Sequence, residues 1–152
     1  MRKKTQNYLI ELLLVFFALA NFSIFSTTYG YYGANNLSIT RIMPAQRNLA
    51  DQRMRAAGME WAREEFNWGL INPSRNKWYW ANPDQAMGTH RRNGVQVVGM
   101  IAYTSPWAST CGGADAQFCK PNIDHWKNYV GAVARRYGDV THWEIWNEPN
   151  HF

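Results

Sequence analysis

Apolar positions along most of the chain follow two alternating spacings. Residues 95–103 form a nearly continuous apolar run rich in valine and isoleucine, which is typical of a buried strand. In residues 124–137 the apolar side chains recur every three or four positions, as on one face of a helix. The two patterns together predict four strands, in residues 29–37, 59–68, 95–103 and 140–146, and three helices, in residues 44–57, 84–93 and 124–137.

The predicted helices carry residues that commonly start and stop helices. Asp84 and Asp124 are placed to begin the second and third helices, because a carboxylate accepts hydrogen bonds from the free N–H groups of a first turn. Gly58, Gly94 and Gly138 follow the three helices directly before the next strand. The helix-to-strand turns are therefore short, whereas the strand-to-helix loops are long.

The strict alternation of strands and helices predicts the fold class. Short turns between a helix and the next strand favour right-handed βαβ units and a parallel sheet, hence an α/β fold. In such folds the functional loops lie at the carboxyl ends of the strands. The chemically interesting residues of this sequence fall in those loops.

The first 28 residues have the parts of an export segment. Arg2-Lys3-Lys4 is a positive start, residues 9–20 are nearly all apolar, and Ala18-Leu19-Ala20 offers small side chains for cleavage. The pattern favours a cleaved signal peptide over an uncleaved membrane anchor, because the clean apolar run is short for a bilayer crossing. We predict a signal or anchor in residues 1–28, one domain in residues 29–152, and an extracellular or cell-surface location.

Composition excludes several classes of protein. The chain of 152 residues is 46% hydrophobic and 15% aromatic, which allows a packed core and excludes a disordered tail. Lysine and arginine number 16 against 11 aspartates and glutamates, but no run of five or more basic residues occurs outside the N-terminal segment. Nucleic acid is therefore not a predicted partner, since phosphate binding needs a clustered basic face.

The two cysteines are predicted to form a structural disulfide. Cys111 and Cys119 bracket a loop-like segment, and closing so short a loop contributes about 2–3 kcal/mol, mostly by restricting the unfolded chain. A redox or metal-binding pair is the alternative. It is disfavoured because the spacing is not C-x-x-C and no histidine lies at a suitable distance in sequence. No metal and no organic cofactor is implied.

The segment that carries chemistry is Trp143-Glu144-Ile145-Trp146-Asn147-Glu148-Pro149-Asn150. Pro149 cannot donate to a strand ladder, so the strand ends there and leaves Asn147 and Glu148 at the carboxyl edge of the sheet. A carboxyl group walled by Trp143 or Trp146 would be partly removed from water and would hold its proton, as a general acid must.

This segment and the residues before it resemble the clan A glycoside hydrolases, the retaining (β/α)8-barrel enzymes that include families 5 and 39. The resemblance runs from about residue 31 to the end of the chain and rests on an ordered set of motifs. The motifs are WAREEFNW in residues 61–68, Trp78-Tyr79-Trp80 with Asp84, VGMIAYTSPWA in residues 98–108, and residues 129–150. It implies the N-terminal half of a TIM barrel, about four βα units, acting on oligo- or polysaccharides.

The resemblance also implies roles for individual residues. Glu148 would be the acid/base that protonates the leaving glycosidic oxygen, and Asn147 would bond the 2-hydroxyl of the sugar. Arg63 would lie under the site and steady the charge of the nucleophile, or instead be an ion-pair partner of Glu64, Glu65 or Glu144. Three aromatic side chains would form a sugar-binding rim: Trp68, Tyr103 and Trp107.

The predicted site is incomplete in this chain. In the resembled enzymes the nucleophile is a glutamate at the end of the seventh strand, whereas this chain stops soon after the fourth. The expectation is a fragment of an exported retaining glycosidase for β-linked saccharides, inactive on its own. The alternative is a non-catalytic carbohydrate-binding or remnant protein at the cell surface.

Overall fold

The computed structural model describes residues 32–149, in which strands and helices alternate. The strands are β1 (Gly33–Ala34), β2 (Trp61–Asn67), β3 (Gln96–Ala102) and β4 (His142–Ile145). The α-helices are α1 (Arg47–Ala56), α2 (Trp68–Ile71), α3 (Ala81–Asn93) and α4 (Ile123–Arg136), with 3-10 turns at Pro44–Gln46 and Pro106–Ala108. The predicted signal or anchor lies outside the described residues. Across residues 32–149 no helix is long and apolar enough to span a bilayer.

The four strands form one parallel sheet in the order β1-β2-β3-β4. All seven residues of β2 pair with β3, from Trp61 beside Gln96 to Asn67 beside Ala102, while β1 contributes two residues. Each strand is joined to the next by a connection that contains a helix, as parallel pairing requires. The predicted α/β fold is confirmed: the chain has the arrangement of half a (β/α)8 barrel.

Three helix boundaries differ from the predictions. Helix α3 begins at Ala81 rather than Asp84, and Pro83 occupies its first turn, where proline is tolerated. The N-cap of α4 is Asn122 rather than Asp124, because the Asn122 side chain accepts hydrogen bonds from the N–H groups of Asp124 and His125. Gly138 does not end α4, which stops at Arg136 with Tyr137 as its cap.

Helix α2 was not predicted at all. It has four residues and directly follows β2, where the sequence pattern indicated strand and loop. The Asn67 side chain caps it by accepting a hydrogen bond from Leu70 N–H at 3.2 Å. The helix begins at Trp68, directly after β2, and the Trp68 indole is fully buried.

An aromatic cluster fills the space between the sheet and the helices. Trp68 stacks on Tyr129 of α4, with ring centroids 5.1 Å apart and planes 12° apart. Phe66 of β2 contacts Tyr137 and Trp143 at centroid distances of 5.0 and 5.4 Å. Because these rings come from two connections and two strands, they hold the βα units together.

Gly99 of β3 is required by the packing of Trp143 on the neighbouring strand. A Cβ atom at position 99 would collide with the six-membered ring of Trp143. We expect Gly99→Ala to lower the free energy of unfolding by about 1–3 kcal/mol, as overpacking in a core does. Urea unfolding measures this. Gly112→Ala is the control, because a Cβ there meets no atom within 4 Å, and a loss as large in the control would contradict the explanation.

Four ionisable side chains lie buried together between the sheet and helices α1 and α3. We call Arg47, Asp51, Glu64 and His90 the buried ion cluster; each is at most 1% exposed. The His90 ring bonds Asp51 through Nδ1 at 2.8 Å and Glu64 through Nε2 at 3.1 Å. Burial alone would lower the pKa of His90, but the bonds to Asp51 and Glu64 and their charges raise it to about 9. His90 is therefore a cation at neutral pH, and two positive charges face two negative ones.

The buried ion cluster also holds the segment that follows β1. Glu64 accepts hydrogen bonds from the backbone N–H groups of Ser38 and Ile39 at 2.8 and 2.9 Å. Arg47 donates to the Ser38 carbonyl at 2.9 Å. The cluster thus connects β2, α1, α3 and the first strand-to-helix loop.

Candidate active site

Side chains from β2, β3 and β4 meet on the face of the sheet opposite the helices. The register places Val98 beside Arg63 and Met100 beside Glu144, and strand alternation brings these four side chains to one face. In a closed barrel this face would be the interior. These side chains therefore surround one small region of that face.

Arg63 is the centre of that region. Its guanidinium makes a two-pronged ion pair with Glu144, with Nε–Oε2 and Nη2–Oε1 distances of 2.7 Å. The same Nη2 donates to Asn147 Oδ1 at 2.8 Å. The hydrogen bonds between Arg63 and Glu144 raise the pKa of Arg63 and lower that of Glu144, so both groups are charged. Of the three ion-pair partners considered from the sequence, Glu144 is the one bound.

Asn147 is held in a single orientation by two partners. Its Oδ1 accepts from Arg63, and its Nδ2 donates to the Tyr103 hydroxyl at 3.0 Å. The side-chain amide has a second N–H, for which residues 32–149 provide no acceptor. Among the described residues, Asn147 thus has one oriented donor that can meet a ligand.

The backbone around Asn147 is strained. Trp146 and Glu148, the residues on either side, have φ angles of 71° and 47°, in the left-handed region that side-chain-bearing residues seldom adopt. Each such residue costs about 1–3 kcal/mol, and they concentrate at functional sites. The Trp146 N–H still bonds to the Ile101 carbonyl at 2.9 Å, so the turn begins on the sheet itself.

Glu148 is exposed, and the expected tryptophan wall around it is wrong. Trp143 precedes Glu144 in β4, so its side chain lies on the other face of the sheet, where it packs on Phe66 beside the helices. Trp146 packs on Tyr103 and Trp126, at centroid distances of 5.7 and 6.0 Å. In the described residues, Glu148 therefore projects into solvent beside Asn147.

The rim prediction is wrong for Trp68. Its side chain is 0% exposed, stacks on Tyr129 and donates from Nε1 to Asn72 Oδ1 at 3.0 Å. Helix α2 turns the chain inward at this point, so the indole joins the core instead of facing a ligand. Trp107 is half-buried, and its Nε1 donates to the Asn72 carbonyl at 2.9 Å.

Tyr103 is half-buried, and the structure places it directly in the site through its bond to Asn147. The disulfide between Cys111 and Cys119 is confirmed, with the two Cα atoms 6.1 Å apart. No group of histidine, cysteine and acidic side chains within residues 32–149 is arranged as a metal site.

Two residues of β2 were missed as members of this region. Glu65 accepts a hydrogen bond from Asn67 Nδ2 at 2.8 Å, and both share strand parity with Arg63. The two-residue spacing from Arg63 was the sequence signal that could have placed Glu65 and Asn67 on the same face. The partner role of Glu144 follows from the same rule, because the register of β3 and β4 places it beside Met100, on the face that carries Arg63.

A cavity of about 430 Å³ opens on the same face of the sheet. It reaches Arg63, but Gly33, Trp61 and His142, the first residues of their strands, form much of its wall. Most of this cavity therefore lies toward the amino ends of the strands, away from Asn147.

Comparison with known proteins identifies the fold. No protein-family model and no curated protein matches the sequence. Among solved structures, the chain is similar to a family 39 glycoside hydrolase from the gut symbiont Bacteroides cellulosilyticus WH2, with a TM-score of 0.61 and 18% identity over 79% of this chain. It is also similar to the GH39 enzyme from Xanthomonas axonopodis pv. citri (TM-score 0.54, 20% identity, 78% of this chain).

A third similar structure is the β-galactosidase from the psychrophilic Marinomonas ef1, with a TM-score of 0.56 and 22% identity over 70% of this chain. The chain spans only 24%, 27% and 20% of the lengths of these three proteins, in the order given. At such identities the likeness concerns the fold. The described chain has part of the (β/α)8-barrel fold to which these structures are similar.

Proposed function

We propose that this chain is part of an exported retaining glycoside hydrolase acting on β-linked oligo- or polysaccharides. The carrying observation is the Arg63–Asn147–Tyr103 network, which links Arg63 of β2 to the residues that follow the carboxyl ends of β3 and β4, beside the exposed Glu148. Ligand sites of α/β barrels lie at this end of the strands. The similar solved structures, which are named as glycosidases, support the same class of substrate.

In this proposal Glu148 is the general acid and base. Its carboxyl group donates a proton to the glycosidic oxygen as the bond breaks, and the carboxylate then takes a proton from the attacking water. Exposure leaves it free to reach a bound saccharide. Its position next to the strained turn at Trp146 fixes where it projects.

Asn147 orients the sugar that is cleaved. Its free Nδ2–H donates to the oxygen of the 2-hydroxyl, a bond that strengthens in the transition state. Arg63 acts on Asn147 as a positioning residue: its charge is engaged by Glu144, and it fixes the amide by donating to Oδ1. Retention requires a second carboxyl group about 5–5.5 Å away as nucleophile, which we assign to a later strand of the barrel, beyond β4.

The test is hydrolysis of aryl β-glycosides by two preparations: the native gene product purified from its source cells, and the 152-residue chain produced alone. The proposal predicts turnover by the first and none by the second, because it assigns the nucleophile to a strand outside residues 1–152. Turnover by the 152-residue chain would contradict the assignment of the nucleophile to a later strand. Absence of turnover in the native protein, with retained binding of β-linked oligosaccharide, would establish the non-catalytic carbohydrate-binding alternative.

A further inference from the structure

A second cavity opens where β2 and β3 end, between helix α2 and the loop that the disulfide closes. We call residues 111–119 the disulfide loop. The volume of the cavity is about 370 Å³, within the range of cavities that hold small molecules. Part of its lining is Asn67, the last residue of β2, with Leu70 of α2, and the rest includes Pro106, Ala114 and Gln117.

This cavity lies at the same end of the sheet as Asn147. In the register of β2 and β3, Asn67 is beside Ala102, and the next residue, Tyr103, accepts the hydrogen bond from Asn147. Phe118 of the disulfide loop contacts the Tyr103 ring, with centroids 5.6 Å apart. Both parts of the cavity lining are thus attached to the chain beside Tyr103, so the cavity and the amide of Asn147 are neighbours.

Asn67 supplies an oriented polar group to the cavity. Its Oδ1 accepts a hydrogen bond from the Leu70 N–H at 3.2 Å, and its Nδ2 donates to Glu65 Oε1 at 2.8 Å. The amide has a second N–H, for which residues 32–149 provide no acceptor. Asn67 is therefore held by two partners, as Asn147 is, with one donor that can meet a ligand.

The rest of the lining is mostly apolar. Leu70 is 57% exposed, and Pro106 and Ala114 are exposed as well. A pyranose ring presents C–H groups on its faces and hydroxyl groups around its edge. An apolar surface beside one oriented amide therefore matches a single sugar unit.

The charge near the cavity favours a neutral ligand. None of the described residues that line it is charged, but Glu65 lies directly behind Asn67. Glu65 is 8% exposed, and no cation within residues 32–149 is at ion-pair distance from it, since Arg63 of the same strand binds Glu144. A buried carboxylate without a paired cation disfavours a second negative charge nearby.

We propose that this cavity binds a neutral sugar unit next to the unit held by Asn147, and that Glu65 excludes acidic units from it. Asn67 donates to a hydroxyl oxygen, and Leu70 and Pro106 contact the ring. Glu65 is a positioning residue: it orients the Asn67 amide, and its charge repels the carboxylate of a uronic acid. The proposal rests on the function proposed above, which supplies the β-linked saccharide, but its test needs no turnover.

The experiment is calorimetric binding of β-1,4-linked tetrasaccharides of glucose and of glucuronic acid to the native gene product. Every protein carries Glu148→Gln, so that hydrolysis does not consume the saccharide. Ala114→Trp fills the cavity from an exposed position, and Ala57→Trp adds the same ring to an exposed alanine at the end of α1. Glu65→Gln keeps the size of the side chain and removes its charge, whereas Asp115→Asn removes an exposed charge of the disulfide loop.

The glucose tetrasaccharide is expected to bind about tenfold more tightly than the glucuronic acid tetrasaccharide. Ala114→Trp weakens binding of the glucose tetrasaccharide about tenfold or more, whereas Ala57→Trp leaves it unchanged. Glu65→Gln strengthens binding of the glucuronic acid tetrasaccharide about fivefold or more and leaves glucose binding within about twofold. Asp115→Asn keeps the preference for glucose.

Equal binding of the two tetrasaccharides, binding of neither, or an effect of Ala114→Trp no larger than that of Ala57→Trp would overturn the proposal. A preference that disappears in Asp115→Asn and persists in Glu65→Gln would overturn the role of Glu65. Ala114 and Asp115 are exposed, so their variants decide the matter if Glu65→Gln does not fold. A native protein that binds these saccharides without hydrolysing aryl β-glycosides leaves this proposal standing, so the two proposals fail separately.

Discussion

Replacing His90 with glutamine is expected to lower the free energy of unfolding by about 3–5 kcal/mol, the range found when one partner of a buried ion pair is removed. His90 is 1% exposed and bonds two carboxylates that are themselves fully buried. Glutamine fills much of the volume but carries no charge, so Asp51 and Glu64 face only Arg47. The loop after β1, which Glu64 holds, loses its attachment at the same time.

Urea unfolding of the variant and of Arg91→Gln measures this effect. Arg91 is the next residue on α3 and forms an exposed ion pair with Asp139, a kind of contact worth about 1 kcal/mol or less. Comparing the two variants separates the effect of removing a buried charge from that of removing an exposed charge on the same helix. A His90→Gln effect no larger than that of Arg91→Gln would contradict the role assigned to the cluster.

The pH dependence of stability tests the same cluster without a substitution. The hydrogen bonds and charges of Asp51 and Glu64 outweigh burial and raise the pKa of His90 from 6.5 to about 9. Because the folded-state pKa is the higher one, this stabilisation is complete below about pH 6.5 and is lost as the pH rises through about 9. The loss corresponds to about 3 kcal/mol of unfolding free energy. A curve that stays flat over this interval would show that His90 is uncharged in the fold.

Replacing Glu148 with glutamine in the native gene product is expected to lower kcat by about 10²–10⁴, the usual contribution of a general acid or base. Glutamine keeps the size of the side chain and removes the transferable proton. Glu60→Gln is the control, because Glu60 precedes β2 at the other end of the sheet and pairs with Arg55. Steady-state hydrolysis of an aryl β-glycoside with a poor leaving group measures the change. Equal losses in both variants would remove Glu148 from the mechanism.

Local sequence patterns were sufficient for the order of the four strands and the three longer helices, but not for helix α2. The apolar run of β3 and the helical spacing of α4 are local signals, and both elements lie where the sequence placed them. Boundaries failed where two residues compete. Asn122 and Asp124 are both good helix caps two positions apart, and it is Asn122 that has the extended backbone and accepts the capping hydrogen bonds.

What the sequence left open or missed at the site depends on contacts that join distant parts of the chain. It left Arg63 three possible ion-pair partners, and only the register of β2, β3 and β4 selects Glu144, which is 81 residues away. Trp68 follows a strand end, where an aromatic side chain can face a ligand or enter the core, and stacking on Tyr129 determined the outcome. His90 drew no prediction because its partners belong to α1 and β2.

The most direct measurement of the central claim is the dependence of kcat/KM on the leaving group for Glu148→Gln in the native gene product. If Glu148 donates the proton, the loss is large for aryl β-glycosides with poor leaving groups and small for those that leave without protonation. Added azide then restores turnover and gives a β-glycosyl azide, because the covalent intermediate still forms. A loss of the same size for every leaving group, with no effect of azide, would contradict the assignment of Glu148 as the acid/base.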